Sequence, residues 1–405
     1  MKESKETTED LKQKRRWIIL SLASIPLIMT LGNSMLIPIL PLMENTLHIS
    51  KLQSSYIITV FSVVAIIFIP IAGYLSDQFG RKMIILPALI ITGIGGMIAG
   101  WASWQMENPF TMILIGRILQ GIGASGAFPI VLPLVGDIFQ DDKLASKTLG
   151  VVETSNTIGK VLSPILGAAL AAVVWFLPFF SIPVFCAISA CMVAFLIDKK
   201  EGGEKRTNLK EYTQLIRDVF RQHRTWLIAV FIIGAILMFI LFGFLFYLSS
   251  ILEETFGYKG IWKGVLLGIP LLALSVASYI TGKLIKGRLS VMKWVTFLGI
   301  TFSGISVFVI PFMNHPVYLL AIFFVCGTGI GMSLPSLDAL ITNTLDKEVS
   351  GVITSIYSAM RFIGVAAGPP AIALLMKQHI SWMVGVLTLV ALVAGILAYK
   401  NINPE

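Results

Sequence analysis

Ile57-Ile58-Thr59-Val60-Phe61-Ser62-Val63-Val64-Ala65-Ile66-Ile67-Phe68-Ile69-Pro70-Ile71-Ala72-Gly73-Tyr74-Leu75 runs without one Asp, Glu, Lys, Arg or His. It is followed at once by Ser76-Asp77-Gln78-Phe79-Gly80-Arg81-Lys82, and a second apolar run starts at Met83. A helix needs roughly 20 apolar residues to cross the hydrocarbon core of a bilayer, so this is one membrane span, a short charged turn and the start of the next span. A transmembrane strand would show only about 10 residues of alternating character, and this run does not alternate. Lipid supplies no hydrogen bonds, so only helices and closed barrels can cross it. The expected class is therefore an all-α membrane protein.

The rest of the chain agrees. Of 405 residues 56% are hydrophobic and 13% charged, with a mean hydropathy of +0.85, too little polar surface to coat a soluble protein of this size. Twelve spans are expected, at about 17–43, 53–76, 83–104, 108–136, 146–174, 176–197, 225–250, 260–285, 291–312, 316–343, 350–376 and 380–399. The first follows Lys12, Lys14, Arg15 and Arg16 as a signal peptide would, but its apolar stretch is longer and no small-residue cleavage site follows. It reads as a retained helix.

Orientation comes from the bases, because Lys and Arg accumulate on the cytoplasmic side of short loops. Placing the N-terminus inside puts 24 of the 31 Lys and Arg in inner segments; Lys51, Lys259, Lys263 and Lys377 fall outside. Both termini are expected in the cytoplasm, as short tails 1–16 and 401–405. The net charge of +9 is thus a topology signal with some attraction to anionic lipid heads, and no sign of a nucleic-acid partner.

The segment 198–224 divides the spans into an N-terminal six-helix bundle, 17–197, and a C-terminal one, 225–400. Within it Leu209, Tyr212, Leu215, Ile216, Val219 and Phe220 recur at helical spacing, which fits either an interfacial amphipathic helix or a solvated linker. The halves echo one another: Gly121, Gly123 and Pro129 recur as Gly327, Gly329 and Pro335 at an offset of 206, and Gly159 and Pro164 as Gly364 and Pro369 at 205. Such repeats are typical of transporters whose path runs between two rocking halves. Cys186, Cys191 and Cys326 lie in spans and His48, His223, His315 and His379 at span ends or in loops, without metal-ligand spacing; no metal and no cofactor is expected. No span carries an HExxH, GxSxG or paired-acid motif, so an enzyme is not expected either.

The turn that ends the first quoted run, Gly73 to Lys82, resembles the signature loop between helices 2 and 3 of the major facilitator superfamily. Its glycines let helix ends turn and approach a neighbour, Asp77 can face the positive end of a helix, and Arg81 can neutralise a carboxylate. The resemblance implies a cytoplasmic gate of Gly73, Asp77, Gly80 and Arg81 that docks on helix 11 near Ser350 and Gly351, with Asp137 as the partner of Arg81. Three further stretches are similar to the drug:proton antiporter branch. These are Leu31-Gly32 with Pro38-Ile39-Leu40-Pro41; Arg117, Gln120, Gly121, Gly123 and Ala124; and, in helix 5, Gly159, Ser163-Pro164 and Gly167-Ala168, where two of the family's glycines are replaced by other small residues. Small residues permit close packing and the proline a bend, so Gly159, Ser163, Pro164 and Gly167 are expected to shape the outer path. The family implies two pseudo-symmetric bundles in a bacterial plasma membrane, a monomer, and transport of a small molecule driven by protons.

Ionisable residues inside the membrane cost at least ~2.5 kcal/mol at its centre and mark function. Arg117 is one, able either to bias a nearby acid or to bond loop carbonyls. In helix 5, Glu153, Asn156, Thr157 and Lys160 fall at i, i+3, i+4 and i+7, one face of a helix, expected to line the cavity. Glu153 and Lys160 are two turns, roughly 10 Å, apart along the axis. Glu153 is the first candidate proton carrier, because the protonation of an acid responds to solvation and nearby charge; Lys160 is a modulator or a contact for an anionic group. A permanent salt bridge between them is the competing reading. Asp338 and Arg361 are their counterparts in the second half, as a coupling site or as a gate pair. Asn33 is expected to add hydrogen bonds, and Met238 and Phe242 an adaptable apolar wall. The expected function is proton-coupled export of small amphipathic compounds, drugs or a metabolite such as a catechol siderophore. A nutrient symporter and a lipid flippase are the alternatives.

Overall fold

A computed structural model describes residues 8–139, 141–197, 209–285, 288–313, 315–345, 347–378 and 380–402. The linker segment 198–208 and His379 lie outside them. The elements are α1 (Thr8–Ser34), a 3-10 turn (Ile37–Ile39), α2 (Leu40–Leu47), α3 (Lys51–Phe79), α4 (Arg81–Gln105), α5 (Phe110–Ile138), α6 (Asp142–Val173) and α7 (Leu177–Leu196). They continue with α8 (Leu209–Glu254), α9 (Gly260–Ile285), α10 (Leu289–Val309), a 3-10 turn (Ile310–Phe312), α11 (Pro316–Thr344), α12 (Lys347–Leu375) and α13 (Ile380–Asn401). Twelve stretches of the described residues are long and apolar enough to cross a membrane, and the chain is a multi-pass membrane protein. Its rings fit that setting: Trp101, Trp104, Trp262, Trp382 and Tyr399, all near span ends, are more than half exposed, as in the aromatic belts at the two bilayer surfaces.

Two spans differ from expectation in a physically readable way. The first is one crossing, Gln13–Leu47, but not one helix: Pro38 and Pro41 cannot donate to the preceding turn, so α1 stops at Ser34 and restarts through the 3-10 turn as α2. The seventh starts far earlier than residue 225, since α8 is continuous from Leu209 apart from a kink at His223 (φ −118°, ψ 21°). Val219 is buried and the Phe220 ring packs edge-on to Phe231 at 5.8 Å, so the amphipathic stretch leans on the bundle as the first turns of its own span.

Packing repeats between the halves. α5 lies against α3 and α4, and α11 against α9 and α10; α1 lies against α6, and α8 against α12; α4 meets α7 as α10 meets α13. The glycines at matched offsets make the matched contacts. A β-carbon on Gly121 would press on the Phe61 carbonyl and one on Gly327 on the Pro270 carbonyl, while Gly123 faces Ala88 and Thr92 where Gly329 faces Gly299 and Ser303. Without a hydrophobic drive between helices in lipid, such close approach is what holds them. The fold is two pseudo-symmetric six-helix bundles.

The halves meet through two equivalent seams, α3 against α12 and α6 against α9; no comparable seam joins α5 to α11 among the described residues. Residues such as Arg15, Arg16, Arg81, Lys82 and Lys400 mark one end of the bundle as a basic face. At the opposite face α6 and α9 touch closely. A β-carbon on Gly264 would come within 2.8 Å of Ala168 Cβ and 3.0 Å of Ile165 Cα, and nearer still to the Pro164 carbonyl.

Candidate functional site

Between the halves lies a cavity of about 140 Å³, lined by Thr30, Asn33, Asn156 and Lys160 of the first half and by Met238, Phe242, Ser358 and Arg361 of the second. Phe61, Phe128 and Phe362 complete its walls. The enclosed space is below the roughly 300–1,000 Å³ of drug-sized pockets, so a larger guest requires the halves to part. A larger groove of about 590 Å³ between α10 and α13 is lined by side chains such as Ile305, Phe308 and Leu392 that are more than half exposed on the outer surface of the bundle. It lies away from the interface of the halves.

The helix 5 face expected from the sequence is on α6 and is held by α1. Thr30 Oγ1 donates to Asn156 Oδ1 at 2.7 Å and Asn156 Nδ2 donates to Glu153 Oε1 at 3.2 Å, a polar chain leading from the cavity wall to the acid. Glu153 itself is exposed, towards the basic face. Thr157 is half-buried and is not among the lining side chains. Lys160 forms no ion pair with Glu153 and no hydrogen bond among the described residues, although it stands within electrostatic range of Glu153, Arg361 and Asp338. Arg361 Nη1 lies 3.6 Å from Asp338 Oδ1, and its guanidinium carbon 5.6 Å from the centre of the Tyr357 ring. One acid and one base from each half therefore converge at one locus.

Arg117 is fully buried. It donates from Nε to the Ile57 carbonyl (2.8 Å), from Nη1 to Gln120 Oε1 (2.6 Å) and the Gly32 carbonyl (3.3 Å), and from Nη2 to Asn33 Oδ1 (2.8 Å). Its Cζ sits 4.4 Å over the Phe61 ring. The carbonyls it bonds belong to the helices α1 and α3 rather than to loops. Asn33 and Phe61 stand between Arg117 and the cavity.

The expected bend residues give α6 two close-packed faces. Gly159 packs on Leu27 and Thr30 and Gly167 on the Met35 backbone, both toward α1 and the turn after it; Ser163 donates to the Gly159 carbonyl of its own helix at 2.5 Å and lies 3.4 Å from the Thr30 carbonyl of α1; Pro164 and Ala168 meet Gly264 of α9. At the basic face Arg81 is paired with both Asp77, at 3.2 Å, and Asp137. Gly80 turns between α3 and α4 at φ 93°, a region that only glycine enters readily. Gly73 faces Ser355 of α12. The Arg81 pairs tie the loop to α5 of its own half.

A second charged group, which sequence reading left as loop residues, closes the opposite face. Lys263 Nζ is 2.5 Å from Glu253 Oε2, the two side chains 2% and 11% exposed. Lys51 Nζ reaches Glu254 Oε2 of the other half at 2.6 Å, and Ser54 Oγ donates to Glu44 Oε1 at 2.5 Å. Ten residues separate Glu253 and Lys263, but Gly257 and Gly260, both at positive φ, fold the link so that the pair meets. Those two glycines were the only sequence signal.

The Major Facilitator Superfamily profile matches residues 22–369 and 287–405. Over 375 residues the chain is 52% identical to the "Bacillibactin exporter" of Bacillus subtilis (strain 168), covering 91% of this chain and 92% of that protein. It is 25% identical to "Multidrug resistance protein 2" of the same organism, covering 91% of each. Among solved structures, a bacterial homolog of the human lysosomal transporter Spinster superposes with a TM-score of 0.78 at 13% identity, over 96% of this chain and 97% of that one.

Proposed function

The chain belongs to the Major Facilitator Superfamily, and we propose from this that it exports small amphipathic compounds from the cytoplasm of a bacterial cell by proton-driven alternating access, with a siderophore-like metabolite as its leading cargo. The observation that carries the reading is the cavity between two equivalent halves, closed at one face and walled by both charge signs and an apolar surface. A relative named for bacillibactin export, 52% identical over nearly the whole chain, supports the cargo class, and those named for multidrug resistance support drugs as further cargo.

The basic face is cytoplasmic, by the distribution of Lys and Arg. Cargo enters there, between α5 and α11, and settles in the cavity. Glu153, exposed on that side and tied to Asn156, gives up its proton; the halves rock about the cavity so that it opens to the outside, and a proton taken from outside resets the cycle. Coupling requires cargo and proton to favour different states, since a ligand with equal affinity for both shifts nothing. The Arg81 loop, docked on α12, would hold the cytoplasmic side shut in the other state, and the protein works as a monomer without a cofactor.

In inside-out vesicles energised to an acid interior, labelled bacillibactin is expected to accumulate and to leak out when a protonophore is added. Accumulation insensitive to the protonophore sinks proton coupling. Accumulation only in right-side-out vesicles favours a symporter, and a dependence on a lipid headgroup favours a flippase. Rocking also requires the α6–α9 seam to close fully. Gly264→Val, whose side chain would be driven against Ala168 and Pro164, is expected to lower the export rate about tenfold, because overpacking of this kind costs about 1–3 kcal/mol. The same vesicles report it, with the amount of inserted protein measured alongside.

A further inference from the structure

Lys160 stands apart from the other spanning cations. Arg117 has four oxygen acceptors, Lys263 has Glu253 and Arg361 has Asp338, whereas Lys160 has no hydrogen bond or ion pair among the described residues and faces the cavity. The nearby acids are otherwise engaged: Glu153 accepts from Asn156, and Asp338 is taken by Arg361. An ammonium inside a membrane is retained against its desolvation only where something compensates it, and nothing in the resting cavity does so at contact distance.

Across the cavity, Arg361 offers a second cation from the other half. Its contact with Asp338, at 3.6 Å, is longer than the ~2.7–2.9 Å of a well-formed charge-assisted bond, so a guest oxygen can compete for it. Both cations line the same space, and around them Phe61, Met238, Phe242 and Phe362 present rings and a thioether, surfaces suited to an aromatic or aliphatic body.

We propose that Lys160 and Arg361 form a two-point anion receptor bridging the two halves, and that the cargo it takes carries at least two acidic oxygens, phenolic as in a catechol or carboxylic, on an apolar body. The inference rests on the export reading and deepens it by naming the charge of the cargo. Because α6 belongs to one half and α12 to the other, one guest held at both points ties the halves together at the centre of the path. A lipophilic cation gains nothing from Lys160.

Equilibrium binding to the purified full chain decides the matter, read by quenching of intrinsic tryptophan fluorescence with a tri-catechol siderophore and with its fully O-methylated analogue. One charge-assisted contact corresponds to about tenfold in affinity. Wild type is expected to bind the free catechol at least about tenfold more tightly than the methylated compound. Lys160→Gln should shrink that ratio to about threefold or less, and Lys160→Arg should keep most of it. The ratio is taken within one sample, so partial misfolding does not move it. Equal binding of the two compounds by wild type, which needs no variant, overturns the inference, as does a Lys160→Gln protein that keeps the full ratio. Failure of the export reading shows differently: wild type then binds the catechol with the expected ratio but moves it across no vesicle membrane.

Discussion

Arg117→Met is expected to lower export by about a hundredfold and thermal stability by about 1–3 kcal/mol, and Arg117→Lys is expected to do nearly as badly. The guanidinium is fully buried and binds α1 through the Gly32 carbonyl and Asn33, α3 through the Ile57 carbonyl and its own helix α5 through Gln120. Two effects compete when it is removed. Loss of a buried charge removes a desolvation cost, but the side-chain oxygens of Asn33 and Gln120 lose their donor, and each orphaned buried group costs about 1–3 kcal/mol. Gln120 Nε2 already lacks a partner, so that site has little left to rearrange, and the second effect wins by a modest margin. The larger functional loss comes from geometry. Asn33 and Phe61, which Arg117 positions, line the cavity, and a displacement of about 1 Å in a working site can cost about a hundredfold. Lysine keeps the charge but has no planar fork to reach three helices. All the acceptors are neutral, so the loss should be the same across the working pH range; a variant whose loss disappears at one end of that range would instead place Arg117 in the proton path. Vesicle transport and thermal denaturation in detergent supply both readouts.

The second large effect concerns the opposite face. Lys263→Met alone should destabilise the protein by about 3–5 kcal/mol, the usual cost of leaving one member of a buried ion pair uncompensated. Lys263→Met combined with Glu253→Leu should be near neutral, because two apolar side chains neither need a counter-ion nor lose one. The side chains are 2% and 11% exposed, which is what sets this pair apart from Lys51 and Glu254, exposed by 27% and 45%; breaking that bridge should cost about 0–1 kcal/mol. A double-mutant cycle by thermal unfolding separates the two outcomes. Additive losses in the double variant would mean that the two charges do not stabilise one another. Because Lys51 and Glu254 join the two halves at this face, their substitution is expected to show in how readily the face opens rather than in the melting temperature.

Much of this architecture was legible in the residues. A bilayer imposes span length and forbids charge, so apolar runs bounded by Arg81 and Lys82, or by Lys143 and Lys147, report helix number directly. The matched glycines at 121 and 327 could be read as a repeat because close helix approach demands the smallest residue at equivalent places. On the face of α6 that spacing defines, Asn156 and Lys160 line the cavity while Glu153 and Thr157 do not. What spacing leaves open is the rotation of one helix against another. That rotation put Asn33 on Arg117 rather than free in the cavity, gave Asn156 to Thr30, and left Thr157 off the lining. The joint between Glu253 and Lys263 was hidden for a different reason: charges flanking a turn look alike whether they face water or one another, and only the path of the chain through Gly257 and Gly260 brings them together. Helix ends were least legible where a proline interrupts a span without ending it, as at Pro38, or where an amphipathic stretch continues into a span, as at Val219 and Phe220.

Proton-coupled export requires proton movement driven by cargo. In inside-out vesicles with an acid interior, addition of bacillibactin should dissipate the pH gradient for wild type and leave it intact for Glu153→Gln, which keeps the shape of the side chain and its bond to Asn156 but cannot carry a proton. Equal dissipation by both proteins would make Glu153 structural and move the search to Asp338. Cargo that crosses with no change in the gradient for wild type would contradict proton-coupled export itself.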